Sequence, residues 1–307
     1  MRVIFCASPL SIRQPDELYQ NEVDAVQNLG VETSLLDFEA LTQEANVQRA
    51  VRMISPGETQ PELAIYRGWM LTPAQYELLY EALLAKGLKL INDPVQYRHC
   101  HFLPGWFNLL KEHTSKSVWF PIEELGDSLS GPILKKLLAD LAIFEGSPAI
   151  VKDYVKSEKH RWHEACFIPD SRDSSVVFRV SSKFLELRGH NLQGGLVFRQ
   201  FEEFKPLTTH SQSGMPLIEE YRLFVMDGQI VHWIPYWEEG EYKGQPPLAE
   251  FAEIAPIPRS RFFSMDIAQT KDGRWLVVEL GDGQVTGLPD NANATEFYKA
   301  ILHRNSK

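Results

Sequence analysis

Two carboxylates set in apolar surroundings are the first residues here whose type and spacing could do chemistry. Asp266 lies in FFSMDIA and Glu279 in WLVVELG. Both runs read as strands, and Asp272-Gly273 between them reads as a hairpin turn. Adjacent antiparallel strands can aim two carboxylates from one face. Oxygen donors so placed are what magnesium uses when it also holds nucleotide phosphates. Acidic residues on hairpins are commonly just exposed, but an unpartnered carboxylate inside an apolar run is costly. Asp282 and Gln284 follow in a Gly-rich turn and could add further oxygen ligands.

Three other stretches carry charge in apolar settings. Lys152 falls in AIVKDYV, a β-branched strand in which a buried ammonium needs an anion, and Lys156, Ser157 and Lys159 follow at its exit. A strand-borne lysine with a basic loop could hold phosphates; a solvated edge strand is the plainer alternative. In EEYRLFV, Glu220 and Arg222 are two apart and share one strand face. They could meet a ribose and a phosphate, or form a surface ion pair worth little. In LVFRQFEEF, a strand running into a turn could offer backbone groups to an adenine edge, and Glu202 or Glu203 could reach a ribose hydroxyl.

The chain that positions these residues has 307 residues, 44% hydrophobic and 23% charged, which suits a folded protein of about two domains. No apolar stretch approaches the ~20 residues of a membrane span. A net charge of −10 disfavours a bulk nucleic-acid surface. The three cysteines are scattered and form no CxxC, which argues against disulfides and zinc and fits a reducing compartment. The apolar run at the N-terminus is too short for a signal peptide, so a cytoplasmic protein is expected. A homodimer is the base-rate expectation.

Arg2–Ala7 reads as a buried parallel strand and 8–15 as a loop. Asp16–Leu29 reads as a helix closed by Gly30. Strands are expected at 32–37, 64–68 and 88–91, with a helix from Thr72-Pro73 to Ala85 capped by Thr72. This is a small parallel α/β layer, and Asn92-Asp93-Pro94 marks its boundary. No GxGxxG follows the first strand. Beyond residue 94 helices are expected at 103–111, 132–144, 176–187 and 295–303. Strands are expected at 117–120, 149–155, 196–204, 221–226, 229–236, 264–269 and 275–280, with Asp227-Gly228 as a second hairpin turn. His99 and His101 flank Cys100 without a partner cluster, His160 and His163 read as surface residues, and Trp233, Tyr236 and Trp237 as core. Ser8 and Ser11 could line a substrate mouth at the carboxyl end of the first strand.

The order of these elements resembles the ATP-grasp superfamily, and more narrowly its arginine-and-two-lysine clade. VKDYVKS, EEYRLFV and MDIAQTKDGRWLVVELGDGQVTGL carry the resemblance, which covers most of residues 95–307. It implies an α/β plus α+β fold: a pre-ATP-grasp layer over 1–94, then an ATP-grasp domain over 95–307 with a small subdomain near 110–200 and a C-terminal one near 201–307. It implies that Lys152 and Lys156 contact ATP phosphates and that Arg222 contacts the γ-phosphate or the intermediate. Backbone at Arg199, Gln200 and Phe201 would bind adenine, Glu202 or Glu220 the ribose, and Asp266 and Glu279 magnesium, with manganese as its substitute. Many members carry Asn two residues after the metal-binding Glu; here that residue is Gly281, with Asp282 or Gln284 as replacement. The phosphate loop lacks its usual Gly, and an upstream lysine has no clear equivalent, for which Arg98, His101 or Lys111 could stand in. The implied activity joins a carboxylate, activated as an acyl phosphate, to an amine on a small molecule, peptide or protein. A phosphotransferase and a non-catalytic nucleotide-binding protein are the alternatives.

Overall fold

The computed structural model describes residues 1–307 apart from 59–60, 126–128, 130, 212–215, 290 and 306–307. The apolar run at the start of the chain becomes β1 (Arg2–Ser8), the middle of a sheet with β2 (Ser11–Pro15), β3 (Glu32–Leu36), β4 (Glu62–Arg67) and β5 (Leu88–Leu90). β3 and β4 flank β1 in parallel, and β5 pairs with β4 in parallel. β2 departs from the expected loop. It returns antiparallel along the end of β1, with Ala7 opposite Pro15. The segment is polar and half-exposed, and at a sheet edge Pro15 needs no ladder donor, so no alternating pattern marks it. The helix Pro73–Leu84 starts as its residues dictate: the Thr72 hydroxyl accepts from the Gln75 N–H, and the Gln75 side chain accepts from the Thr72 N–H.

A second sheet is wholly antiparallel. β6 (Ser117–Pro121), β7 (Ala149–Asp153), β8 (Phe167–Ile168) and β9 (Gly195–Gln200) stand in the order β6-β9-β7-β8. Helices Gly131–Leu141 and Ser174–Arg188 cover it, and its buried apolar cluster runs only from Phe120 to Phe198. Beyond it, β10 (Pro206–Thr209) pairs with β11 (Pro216–Ile218). The last sheet contains β12 (Glu220–Met226), β13 (Gln229–Pro235), β14 (Phe262–Gln269) and β15 (Trp275–Asp282), in the order β13-β12-β14-β15. Asp227 and Gly228 between β12 and β13 have φ of 47° and 72°, the double positive φ of a type I′ hairpin.

This last sheet is buried on both faces. Phe224, Met226 and Phe262 join one cluster with the N-terminal sheet and the terminal helix Ala294–Asn305. Tyr221, Leu223, Val225 and Met265 face the other way, onto Trp106 and Leu110. The alternation along β12 is the two-residue period of a strand. Polar ties reinforce the first contact. Arg67, fully buried, donates from Nε and Nη2 to Glu22 at 2.9 and 2.8 Å, and from Nη1 to the Gly283 and Thr286 carbonyls at 2.7 Å each. Tyr298 donates to the same Glu22 at 2.5 Å. The chain leaving β15 is thereby held against the end of β4, which Glu22 ties to the helix Gln20–Asn28. No helix among the described residues is long and apolar enough to cross a membrane.

Candidate active site

β14 and β15 place Asp266 opposite Glu279 in register, and both line a cleft of about 360 Å³ between the second and last sheets. Each carboxylate meets a cation from another strand. Lys152, on β7 with a side chain only 7% exposed, donates to Glu279 Oε1 at 2.5 Å. Arg222, on β12 and opposite Asp266 in register, forks onto it with Nε–Oδ1 at 2.8 Å and Nη2–Oδ2 at 2.9 Å. The Tyr236 ring lies under the guanidinium, 4.7 Å from it. Burial works against the Glu279 charge, yet Lys152, Arg199 and Lys159 together hold its carboxyl below the usual range. Burial dominates at Glu220: with the Asp266 charge beside it, it pushes that carboxyl well above the usual range, against Arg222. Burial also raises Asp266, against the same arginine.

Asp282 lines the same cleft, but its carboxylate is engaged elsewhere, and Gln284 bonds to that carboxylate rather than to Asp266 or Glu279. Asp282 is fully buried; its Oδ2 accepts from Asn92 Nδ2 at 2.5 Å, and its Oδ1 accepts from the N–H and side-chain amide of Gln284 at 2.9 and 3.1 Å. Burial, only partly offset by these bonds, raises its pKa to about 6. Gln284 completes its own set with the Tyr66 N–H at 3.2 Å and the Tyr76 hydroxyl at 2.7 Å. Gly281 has no room for a side chain: a Cβ there would stand 2.9 Å from Ser264 Oγ and 3.0 Å from Thr286 Oγ1. Among the described residues no group of three or more His, Cys, Asp or Glu is placed to hold a metal ion. Two facing carboxylates still match magnesium, which takes one or two from the protein and the rest of its oxygens from phosphates and water.

Lys156, Ser157 and Lys159 line the same cleft. The turn that presents them is held by Asp153, which sequence reasoning missed. Its Oδ1 accepts from the N–H groups of Val155 and Lys156 at 2.7 and 2.6 Å, and its Oδ2 takes Arg188 Nη2 at 2.9 Å. An Asp at a strand exit is the available signal, since it can bond backbone two and three residues on.

The other adenine and ribose candidates lie on β9 and beyond it. Arg199 is buried, donating to the Val278 carbonyl at 2.5 Å and to Thr114 Oγ1 at 2.8 Å, so its side chain ties β9 to β15. Burial lowers its pKa to about 10. The N–H groups of Gln200 and Phe201 already donate to the Lys116 and Pro148 carbonyls at 2.8 Å, so neither is free for an adenine edge. Glu202, past the strand end, is within 3.4 Å of Arg274.

Two cleft residues were read otherwise from sequence. Tyr236, expected in the core, is the platform of Arg222. His101, read both as a weak metal candidate and as one stand-in for the upstream lysine, is 4% exposed, stacks on Tyr97 with centroids 5.0 Å apart, and has no partner for Nε2. Burial, aided by Lys156 and Lys152 and opposed by Glu279, pushes its pKa down to about 4. An unfolded histidine titrates near ~6.5, so the unfolded chain takes up this proton first as pH falls. The folded state therefore loses stability between pH 6.5 and 4, by roughly 3 kcal/mol from this group. Denaturant titrations at pH 7.5 and 4.5 should show that His101→Gln loses less stability on acidification than wild type, by that order.

A family model described as ATP-grasp domain, R2K clade family 3, matches residues 142–301, just over half of the chain. The chain belongs to this family of the ATP-grasp superfamily. The fold agrees. D-cycloserine synthetase DcsG is 15% identical, with 99% of each chain covered and a TM-score of 0.57. D-alanine–D-alanine ligase from Bacillus anthracis, complexed with ATP, is 12% identical over 98% of this chain and 95% of its own, with a TM-score of 0.56. The ATP-grasp ligase PsnB, complexed with precursor peptide PsnA2 and AMPPNP, is 13% identical over 99% and 96%, with a TM-score of 0.55. No curated protein matches the sequence.

Proposed function

We propose that the protein is an ATP- and magnesium-dependent ligase that activates a carboxylate as an acyl phosphate and joins it to an amine, on an amino acid, a peptide or a protein. The observation that carries this reading is the convergence, in one cleft, of two facing carboxylates with Lys152, Lys156 and Arg222. The ligases that share the fold support it: one acts with ATP on D-alanine, another is seen with a precursor peptide. Asp266 and Glu279 would hold magnesium, or manganese, which when bound neutralises phosphate charge. Lys152 and Lys156 would bind phosphate oxygens, and Glu202, at the strand exit, would face the ribose.

The substrate carboxylate oxygen attacks the γ-phosphorus, and the bond to the β–γ bridging oxygen breaks, releasing ADP. The amine nitrogen then attacks the acyl carbon, phosphate leaves, and the amine gives up a proton to the departing phosphate or to water. Arg222 would offset the charge that grows on the transferring group. No protein nucleophile is needed.

Calorimetry tests the site. ATP should bind wild type in the presence of magnesium, and the doubly substituted Asp266→Asn, Glu279→Gln protein should lose that magnesium-dependent binding by about 100-fold or more, as removal of both charged ligands implies. ADP release with pairs of acids and amines then tests the reaction. A phosphorylated acceptor in place of an amide would make the protein a phosphotransferase instead.

A further inference from the structure

Both facing carboxylates are capped by the same cations that the proposed function assigns to phosphate. Lys152 Nζ sits 2.5 Å from Glu279 Oε1, and Arg222 occupies both oxygens of Asp266. A divalent cation arriving alone would meet an ammonium at one carboxylate and a guanidinium at the other, and like charges at such range repel strongly. Charge-assisted bonds of this length are also the stronger kind to displace. Phosphate oxygens change the balance, because they offer Lys152 and Arg222 another anion and leave the carboxylates to a metal.

We propose that the Lys152–Glu279 ion pair is a lock that keeps the metal site closed until a polyphosphate takes the lysine. Metal and nucleotide then enter as a coupled pair, each strengthening the other's binding reciprocally. This rests on the nucleotide–metal reading above, but it makes a distinct claim about the ligand-free protein. The lysine that supports nucleotide binding opposes metal binding when no nucleotide is present.

The probe is manganese alone, titrated into the full chain without nucleotide and followed by electron paramagnetic resonance of the free ion. Lys152→Met removes the ammonium and keeps the length of an unbranched side chain. Glu279, with a side chain 40% exposed, keeps partial access to water when the ammonium is gone, and Arg199 and Lys159 still offset its charge. The expected result is manganese binding about tenfold tighter or more in Lys152→Met than in wild type, the scale of ordinary coupling factors. Lys152→Arg, which keeps a cation there, should stay as weak as wild type. Adding Glu279→Gln to Lys152→Met should abolish the gain. Lys152→Gln serves as the second uncapped variant, and circular dichroism checks that each protein is folded. Unchanged or weaker manganese binding in both uncapped variants, or a gain that survives Glu279→Gln, overturns the lock. Failure of wild type to bind ATP with magnesium would instead overturn the proposed function, which separates the two.

Discussion

Arg222→Lys is expected to lower ADP release at saturating ATP by about 100- to 1,000-fold, the usual loss when one preorganised donor to developing charge is removed. The substitution keeps the positive charge, so a site that needed only charge would tolerate it. The geometry needs more. The guanidinium sits over the Tyr236 ring, 4.7 Å from its centroid, and the planar fork that now spans both oxygens of Asp266 can pass to two phosphate oxygens. A lysine ammonium is a point charge on a flexible stem and cannot hold the fork and the stacking together. The loss should fall on the rate at saturation, with ATP affinity changed much less, because the arginine is assigned to charge that grows during transfer. Steady-state ADP release with the best acid–amine pair, alongside calorimetric ATP binding, separates the two. A rate within tenfold of wild type would remove Arg222 from the chemistry.

Arg67→Met is expected to destabilise the fold by about 3–5 kcal/mol, the cost of leaving a buried ion partner uncompensated. Glu22 would keep its charge in an apolar setting with only Tyr298 donating to it. The Gly283 and Thr286 carbonyls would lose their shared donor. The double substitution Arg67→Met, Glu22→Gln should recover part of the loss, since the unpaired charge is then gone. Urea unfolding of the three proteins measures this. Equal stability of Arg67→Met and wild type would show that apolar packing and the Gln284 bonds hold the last strand's exit without this ion pair.

Much of the site is legible from sequence because its chemistry conflicts with its surroundings. A lysine in AIVKDYV, an acid in each of two apolar runs, and an arginine two residues from a glutamate are each costly unless partnered, and costly residues stand out. The hairpin turns are legible for a similar reason: Asp227-Gly228 must adopt positive φ, which few residues accept. Strands with a clear period or a long apolar run were readable, whereas β2, polar and at an edge, was not.

By itself, then, the sequence determined which residues cannot be idle and which local elements carry them. Only the tertiary structure decided which of them meet. Glu279 and Asp282 lie three apart on one strand, yet one is capped by Lys152 in the cleft while the other is enclosed by Asn92 and Gln284. The strand period puts them on different faces, but what packs on each face is not local. Lys152 finds its partner 127 residues away, and Arg67 finds Glu22 and the chain beyond β15 from two directions. Such pairings are set by how three sheets pack, because burial of their apolar faces dominates the energy and the polar groups must then satisfy one another wherever that packing brings them.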